Sequence, residues 1–210
     1  ASDVYKRQIY IYGDMDVNER LEYLDREYLS DFDVSDVDIH ANIERQAAFD
    51  KPVYETKPYA ITEDESLEDN TYLSYNAVIG TSVDAKLYLA FQILDYALVM
   101  TPGAPVKQAL LDAGISTDVY SSYETSLYQP VYSIVAKNSN SKEQDRFVSV
   151  INDTLEKLVK DGINERTIEA GINYYEFKYR EADYGPYPKG LMYYLTMMDS
   201  WLYAVSYTHL

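Results

Sequence analysis

The chain has 210 residues, no cysteine and a formal net charge of −17, and 47% of its residues are hydrophobic. This length and hydrophobic content suffice for a domain with its own core, but the charge disfavours nucleic acid and anionic membrane, which would be repelled. Basic peptides would be attracted, although acidity that only keeps a protein soluble explains the charge equally well. Without cysteine there is no disulfide, thiolate metal site or cysteine nucleophile, which fits a reducing compartment such as the cytoplasm.

The first predicted elements lie in residues 9–33. Residues 9–12 alternate like a strand, and Gly13-Asp14 predicts a turn after them. Asp16 followed by Glu19 predicts the capped start of a helix. The apolar face of this helix would hold Leu21, Leu24 and Tyr28. Because one strand and one helix cannot form a domain, this unit must pack on another part of a protein.

Residues 34–70 form a long acidic connector. The segment contains Pro52, Pro58 and the acidic cluster from Glu63 to Asp69, and it has little hydrophobic periodicity. A structureless stretch of this length inside one compact domain would be unusual, so the pattern favours an interdomain linker. Lys51 precedes a proline and is expected to be extended.

An α+β pattern begins at residue 71. It predicts a strand over 72–80 and a helix with an apolar face at Leu87, Phe91, Leu94 and Leu98. A short helix should follow, with Pro105 in its first turn and Gly114 in the left-handed position after its end. Two paired strands are predicted over 115–123 and 131–137. The run from Leu87 to Met100 is too short for a membrane span, and Gln92 and Asp95 interrupt it.

The last third of the chain predicts three helices. Ser141 and Gln144 indicate a capping box for the first, which should end at Gly162. Asn164 is a good N-cap for the second. Its apolar stripe comprises Ile168, Ile172, Tyr175 and Tyr179. Gly185 and the prolines beside it predict a turn, and the third helix should bury Leu191, Leu195, Met198 and Leu202.

The order of these motifs resembles the second domain of pitrilysin/insulinase-type zinc metallopeptidases, most closely the presequence-protease-like subgroup. The most specific parts are residues 103–114 and 176–201, the latter with a helix ending in Phe177–Glu181 and a second helix starting after Pro188-Lys-Gly-Leu191. The resemblance covers residues 9–203. It implies an α+β half-domain in which helices cover an antiparallel-rich sheet.

The resemblance also implies a division of the chain. Residues 9–33 would be the last strand and helix of a catalytic domain, 34–70 the acidic linker, and 71–203 a second, non-catalytic metallopeptidase-like domain. Residues 1–8 and 204–210 fit no neighbouring element and resemble translated linker scars, so we expect artefactual tails and truncation at both ends.

The zinc motif of this family, H-x-x-E-H, is absent from the sequence. In such a motif two histidines one helical turn apart bind the metal and the glutamate activates water. This chain has only two histidines, His40 and His209. We therefore expect no catalytic and no metal-binding residue here, and the resemblance implies zinc ligands elsewhere in a longer protein.

Four other groups of residues were weighed as sites, and each has a simpler explanation. Asp36, Asp38 and His40 share one side of an extended segment, but an acidic linker with an exposed histidine explains them better. Asp14 and Asp16 fit turn and cap positions. The cluster from Glu63 to Asp69 lacks the spacing of a calcium loop. The fourth group is a possible peptide-binding wall, for which packing at the edge of the core is the commoner role. It comprises Tyr184, Tyr187, Tyr193 and Tyr194.

Three functions remain open at this point. The first is a fragment of a zinc metalloendopeptidase that degrades peptides in a closed chamber, with this segment as the non-catalytic wall. The second is a structural or regulatory relative of the same fold that has lost its metal. The third is an unrelated acidic binding module rich in tyrosine, of which the chain has 24. The substrate-binding residues are not identified by the sequence.

Overall fold

The described part of the chain contains a three-stranded antiparallel sheet and six α-helices, as expected for the α+β class. The computed structural model describes residues 9–32, 44–201 and 203. The strands are β1 (Thr71–Val78), β2 (Asp118–Glu124) and β3 (Val131–Ser139). The helices are α1 (Val17–Leu24), α2 (Ala85–Asp95), α3 (Pro105–Asp112), α4 (Gln144–Asp161), α5 (Glu165–Glu181) and α6 (Lys189–Trp201). One π-helical turn follows α1 (Asp25–Leu29) and another follows α2 (Tyr96–Met100).

The sheet has the order β1-β3-β2, so that β3 is the central strand. Both neighbours pair with it in antiparallel register, with Ser133 opposite Asn76 on one side and Ser122 on the other. The pairing of the two strands predicted over 115–123 and 131–137 is therefore confirmed.

The core lies on one face of this sheet. Tyr132, Ile134 and Ala136 alternate along β3 toward the helices and are all buried. Phe147 and Ile151, one turn apart on α4, meet them and are almost completely excluded from solvent. Burial of a side chain of this size contributes about 1.5–3 kcal/mol, so this single-sided contact holds the domain together.

Local capping signals act as predicted in α3 and α5. Pro105 occupies the first turn of α3, and Gly114 takes a φ of 65° after its end, a conformation that costs other residues strain. The Asn164 side chain accepts a hydrogen bond from the Arg166 amide at the start of α5. Gly162 ends α4 with a φ of 84°.

The capping box predicted at Ser141 and Gln144 is wrong. Residues Ser141–Glu143 form a 3₁₀ turn, and no side chain caps the start of α4. The preceding Asn140 instead donates its amide to the Asp69 carboxylate (2.6 Å) and accepts from the Asp69 backbone (3.1 Å). A contact over 71 positions has thus replaced the local cap, and sequence spacing alone could not reveal it.

The apolar stripes predicted for the last two helices are only partly buried. Tyr175 is buried and Ile168 half-buried on α5, but Ile172 is exposed. On α6, Leu191 and Leu195 are 45% and 47% exposed, because no described element packs on that side. Of the other two predicted members, Met198 is half-buried and Leu202 lies outside the described residues.

Residues 9–12 do not form the predicted strand. They make no strand pairing with the described chain, because no strand edge lies beside them. Alternate side chains of this segment, those of Tyr10 and Tyr12, nevertheless make contacts with α6. Tyr10 stacks on Tyr194 (ring centroids 4.8 Å apart), and Tyr12 meets Tyr193 edge-on (5.8 Å). The prediction that a helix starts after Asp16 is confirmed, because the Asp16 carboxylate accepts hydrogen bonds from two backbone amides of α1.

The connector between α1 and β1 has no helix or strand over residues 44–70. Its residues 33–43 lie outside the described part of the chain. The lack of hydrophobic periodicity in the sequence therefore corresponds to a lack of regular structure where the structure describes it.

One stretch of the described residues, Ala85–Asp112, has the length (28 residues) and mean hydropathy (1.2) of a helix that could cross a membrane. It is interrupted at Thr101, whose backbone is extended between the two helices. Val99, Val106 and Leu110 of this stretch belong to the hydrophobic core. We assign its apolar character to that packing.

The contact between residues 9–12 and α6 depends on Gly190. A Cβ at this position would lie 2.3 Å from the Tyr12 ring and 2.7 Å from the Tyr12 Cβ. We expect Gly190→Ala to displace residues 9–12, with an overpacking cost of about 1–3 kcal/mol. Hydrogen–deuterium exchange should become faster in residues 9–24.

Leu191→Ala is the matched control, because Leu191 lies on the same helix but is largely exposed. It should leave exchange in residues 9–24 unchanged. Wild-type exchange in the Gly190→Ala variant would show that this docking contact does not hold the segment.

Candidate functional site: the open face of the sheet

No helix among the described residues covers the second face of the sheet. We call it the open face, and small polar side chains and valines dominate it. Its members are Tyr72, Ser74, Asn76, Val78, Asp118, Tyr120, Ser122, Glu124, Val131, Ser133, Val135 and Lys137. On the two outer strands these side chains are exposed, and on β3 they are half-buried. The alternation of each strand therefore separates an apolar core face from a hydrated face.

A hydrogen-bonded group occupies the centre of the open face. The hydroxyls of Ser74 (2.9 Å) and Ser133 (2.6 Å) both donate to the side-chain oxygen of Asn76. The Asn76 amide group is left to donate outward, since none of the described residues accepts from it. This row can offer hydrogen bonds to a chain that lies across the strands.

Charges lie at opposite ends of the open face. At one end, the Lys137 ammonium lies 6.0 Å from the centre of the Tyr72 ring, and Asp118 is 3.9 Å from Lys107. At the other end, Glu124 accepts hydrogen bonds from the Ser126 backbone (3.0 Å) and hydroxyl (2.6 Å). These two bonds lower the pKa of the Glu124 carboxyl, so it is ionised at neutral pH.

A polar contact on the buried face holds the sheet against α2. The Tyr132 hydroxyl donates to the Asp95 carboxylate over 2.8 Å, and Asp95 is only 6% exposed. Burial raises the pKa of Asp95, because the charged form loses water, and hydrogen bonds partly oppose the shift. Burial also raises the pKa of Tyr132, and the neighbouring Asp95 charge adds to that effect.

Three of the four tyrosines predicted as a possible peptide-binding wall make ring contacts within the chain. Tyr193 lies 5.8 Å from Tyr12 and 6.0 Å from Tyr184 between ring centroids, and Tyr194 stacks on Tyr10. Only Tyr187 of the four is largely exposed. Two of these rings therefore attach residues 9–12 to the end of the domain and a third packs beside them, which is the packing role.

Asp36, Asp38, His40 and His209 lie outside the described residues. Asp16 acts as a helix cap. In the acidic cluster, the Glu65 carboxylate accepts a hydrogen bond from the Thr62 backbone amide (2.8 Å), and the Asp69 carboxylate accepts one from the Asn140 side chain. No group of three or more His, Cys, Asp or Glu side chains within residues 9–32, 44–201 and 203 is placed to hold a metal ion.

Reasoning from sequence missed the open face as a site. The signal was present in β1, where Ser74 and Asn76 alternate with the apolar Leu73 and Tyr75. That pattern indicates one polar side of a strand, but it does not reveal that three such sides join into one surface without a covering layer.

The fold is an α+β half-domain whose sheet is packed on one face and open on the other. The family model of the peptidase M16 inactive domain matches residues 8–175 of the sequence. The chain therefore belongs to the family of M16 inactive domains. The resemblance drawn from the sequence motifs is confirmed, although the match ends before α6.

Longer proteins show similarity over nearly the whole chain. Protein HypA of Clostridium perfringens is 41% identical over 203 residues, which cover 96% of this chain and 21% of that protein. The presequence protease 1 of Arabidopsis thaliana, described as chloroplastic/mitochondrial, is 31% identical over 198 residues, covering 93% of this chain and 18% of the plant protein. The chain thus spans about a fifth of the length of these relatives.

Two solved structures share the fold. The inactive peptidase domain of a protein described as a zinc protease, from Bordetella parapertussis, superposes with a TM-score of 0.51 over 63% of this chain and 76% of that domain, at 13% identity. A second such protein, from Bordetella pertussis Tohama I, gives a TM-score of 0.52 over 61% of this chain and 70% of its own, at 14% identity. At these identities the likeness concerns the fold alone.

The buried Asp95 makes stability depend on pH in a defined direction. The pKa of Asp95 is higher in the folded than in the unfolded chain. Its contribution to the free energy of unfolding is therefore complete at pH values below the unfolded pKa, and it is lost as pH rises through the folded pKa. Asp95→Asn keeps an acceptor for Tyr132 and has no charge. The urea-unfolding free energy of the variant relative to wild type should therefore rise over that pH range.

Tyr132→Phe is the companion variant. It leaves the Asp95 carboxylate buried without its donor and should lower the unfolding free energy by roughly 1.5–3 kcal/mol at neutral pH. A difference between Asp95→Asn and wild type that stays constant with pH would contradict the raised pKa of Asp95.

Proposed function

We propose that this chain is the non-catalytic half-domain of a zinc-dependent metalloendopeptidase, and that its open face forms one wall of a closed chamber in which peptides are degraded. The observation that supports this most is a hydrated, hydrogen-bonding sheet face opposite a fully packed core, in a member of the M16 inactive-domain family.

We propose that residues 9–33 complete a preceding catalytic domain, that 34–70 link the two, and that 71–203 form the second domain. An apolar groove of about 280 Å³ between the start of the described chain and α1 supports the first part. It is lined by Ile9, Ile11, Gly13, Met15, Val17, Arg20, Leu21, Leu24 and Leu29. Strands of another domain would pair with residues 9–12 and bury these side chains.

The zinc of the proposed enzyme would be held outside this chain. The sequence has two histidines and no cysteine, and the described residues offer no metal-binding group. We therefore propose that these residues take part in neither metal binding nor bond cleavage. Their proposed role is to hold and enclose the substrate.

The proposed substrates are peptides, with basic ones favoured by the net charge of −17. The other proposed partners are the remaining domains of the parent protein, with neither nucleic acid nor membrane among them. The proposed compartment is the cytoplasm, from the absence of cysteine.

The gene upstream of the codon for Ile9 tests this proposal directly. One long sequencing read across both ends of the frame should reveal H-x-x-E-H in frame before that codon. An upstream domain without this motif would instead identify a non-catalytic relative of the same fold, and the peptidase assignment would be wrong.

A second test uses the chain itself. The purified protein is expected to contain no stoichiometric zinc in elemental analysis and to cleave no unstructured peptide. Addition of zinc should change neither result, because ligands are lacking. One tightly bound zinc ion per chain, together with proteolysis that a chelator abolishes, would refute the assignment as a non-catalytic domain.

A further inference from the structure

A segment of the connector runs between two contacts with the sheet and its flanking residues. We call residues 47–58 the strap. Gln46 and Tyr59 anchor its two ends, and all of its residues are exposed, including Phe49 (71%) and Tyr54 (62%). No hydrogen bond joins the strap to the remainder of the described chain; its one polar contact is the internal Lys57–Glu55 ion pair at 3.2 Å.

Both anchors are on the open side of the sheet. The Gln129 side chain forms a two-way bond with Gln46, accepting from its amide (2.6 Å) and donating to its carbonyl (3.2 Å). Gln129 is an even number of positions away from the open-face residues of β3, so its side chain is on the same side of the extended chain. At the other end, the Tyr59 hydroxyl donates to Asn70, and its ring packs edge-on against Tyr72 of the open face (5.6 Å).

The strap is longer than the distance it spans. The backbone amide of Ile79 donates a hydrogen bond to the Pro130 carbonyl, and that of Ser82 donates to the Tyr128 carbonyl. Gln129 therefore lies opposite residues 80–81. β1 and the residues that follow it cover at most about 33 Å from Asn70 to that point, whereas the chain from Gln46 to Tyr59 can extend to about 43 Å. If the middle of the strap is displaced from the sheet by about 10 Å, which is the spacing of two stacked layers, the chain between the two anchors needs to be only about 39 Å long. The strap can therefore bridge a polypeptide layer while both anchors hold.

The middle of the strap has the properties of an unpaired strand. Residues 53–57, Val-Tyr-Glu-Thr-Lys, are rich in strand-forming types. Pro52 and Pro58 border this run and hold the residues before them in the extended region. Its backbone donors and acceptors make no bond within the described chain, so they are available to a strand from outside.

From this geometry we infer that the strap and the open face form the two sides of a binding cleft for an extended peptide, whose backbone pairs with residues 53–57 and whose side chains meet the Asn76 row. This inference rests on the proposed function, and it names the element that encloses the substrate. The strap would move toward the sheet when a peptide lies between them.

Charge decides which occupant is favoured. A second copy of this chain would bring another net charge of −17, which opposes pairing between two straps. A cationic peptide does not meet this repulsion, and the ionised Glu124 at the Gln129 end of the face has no cation paired with it among the described residues. We therefore assign the cleft to a lysine-containing extended peptide.

The absence of cysteine allows a direct test. Glu55→Cys on the strap and Ser122→Cys on β2 would place two spin labels at exposed, unique positions of the full 210-residue chain. An unstructured synthetic peptide rich in lysine and leucine serves as the probe. We expect it to shorten and narrow the distance distribution between the labels.

Binding affinities of the unlabelled chain test the mechanism. Gln129→Ala removes both bonds to Gln46 and releases one end of the strap. It should weaken peptide binding roughly five- to thirty-fold, because binding must then also offset the conformational entropy of fixing about one more residue of the strap. Gln108→Ala is the matched control, because Gln108 bonds only Asp112 within α3. A probe methylated at alternate backbone nitrogens should also bind more weakly, since it cannot pair with the strap.

Each result separates the two proposals. Unchanged label distances together with equal affinity for wild type, Gln129→Ala and the methylated probe would overturn the strap while leaving the open face as a peptide-binding wall. No binding of the probe to the wild-type chain would overturn the cleft and count against the chamber-wall function. Dimerisation of the chain through the strap, detected by sedimentation, would also overturn the peptide assignment.

Discussion

The burial of one face of β3 is the constraint on which the domain depends. Its core-facing residues Tyr132, Ile134 and Ala136 meet α4 directly, and the Tyr132 bond to Asp95 fixes α2 on the same side. All the helices that contribute to the core therefore lie on one face of the sheet. Because a strand alternates, the same residues that build the core also determine which side chains remain in water on the opposite face.

Two kinds of unsatisfied surface follow from this one-sided arrangement. One is polar, the open face, which has free hydrogen-bonding groups and is bordered by the two anchors of the strap. The other is apolar, and it comprises the groove around α1 and the exposed leucines of α6. An independent domain would usually cover such apolar surface, so both features fit a unit that works inside a larger assembly, as relatives about five times longer would provide.

Local signals were reliable where the chemistry is local. Pro105, Gly114 and Asn164 act within a few residues of themselves, and each was located correctly from the sequence. Predictions failed where a distant partner decides. Asn140 bonds Asp69 and the expected cap is absent, and residues 9–12 alternate like a strand without an edge to join. The site was missed for the same reason, since it consists of three strands and an anchored connector that are separate in sequence.

The sequence by itself determined the fold class, the family, the positions of most helices and strands, and the absence of a zinc motif. These depend on residue types, spacing and short-range sterics, which are properties of the chain alone. The tertiary structure decided which sheet face stays open, which tyrosines pack against other rings, and which residues anchor the ends of the strap. Those outcomes depend on contacts such as Gln46 with Gln129 and Tyr12 with Gly190, which exist only after distant segments have been brought together.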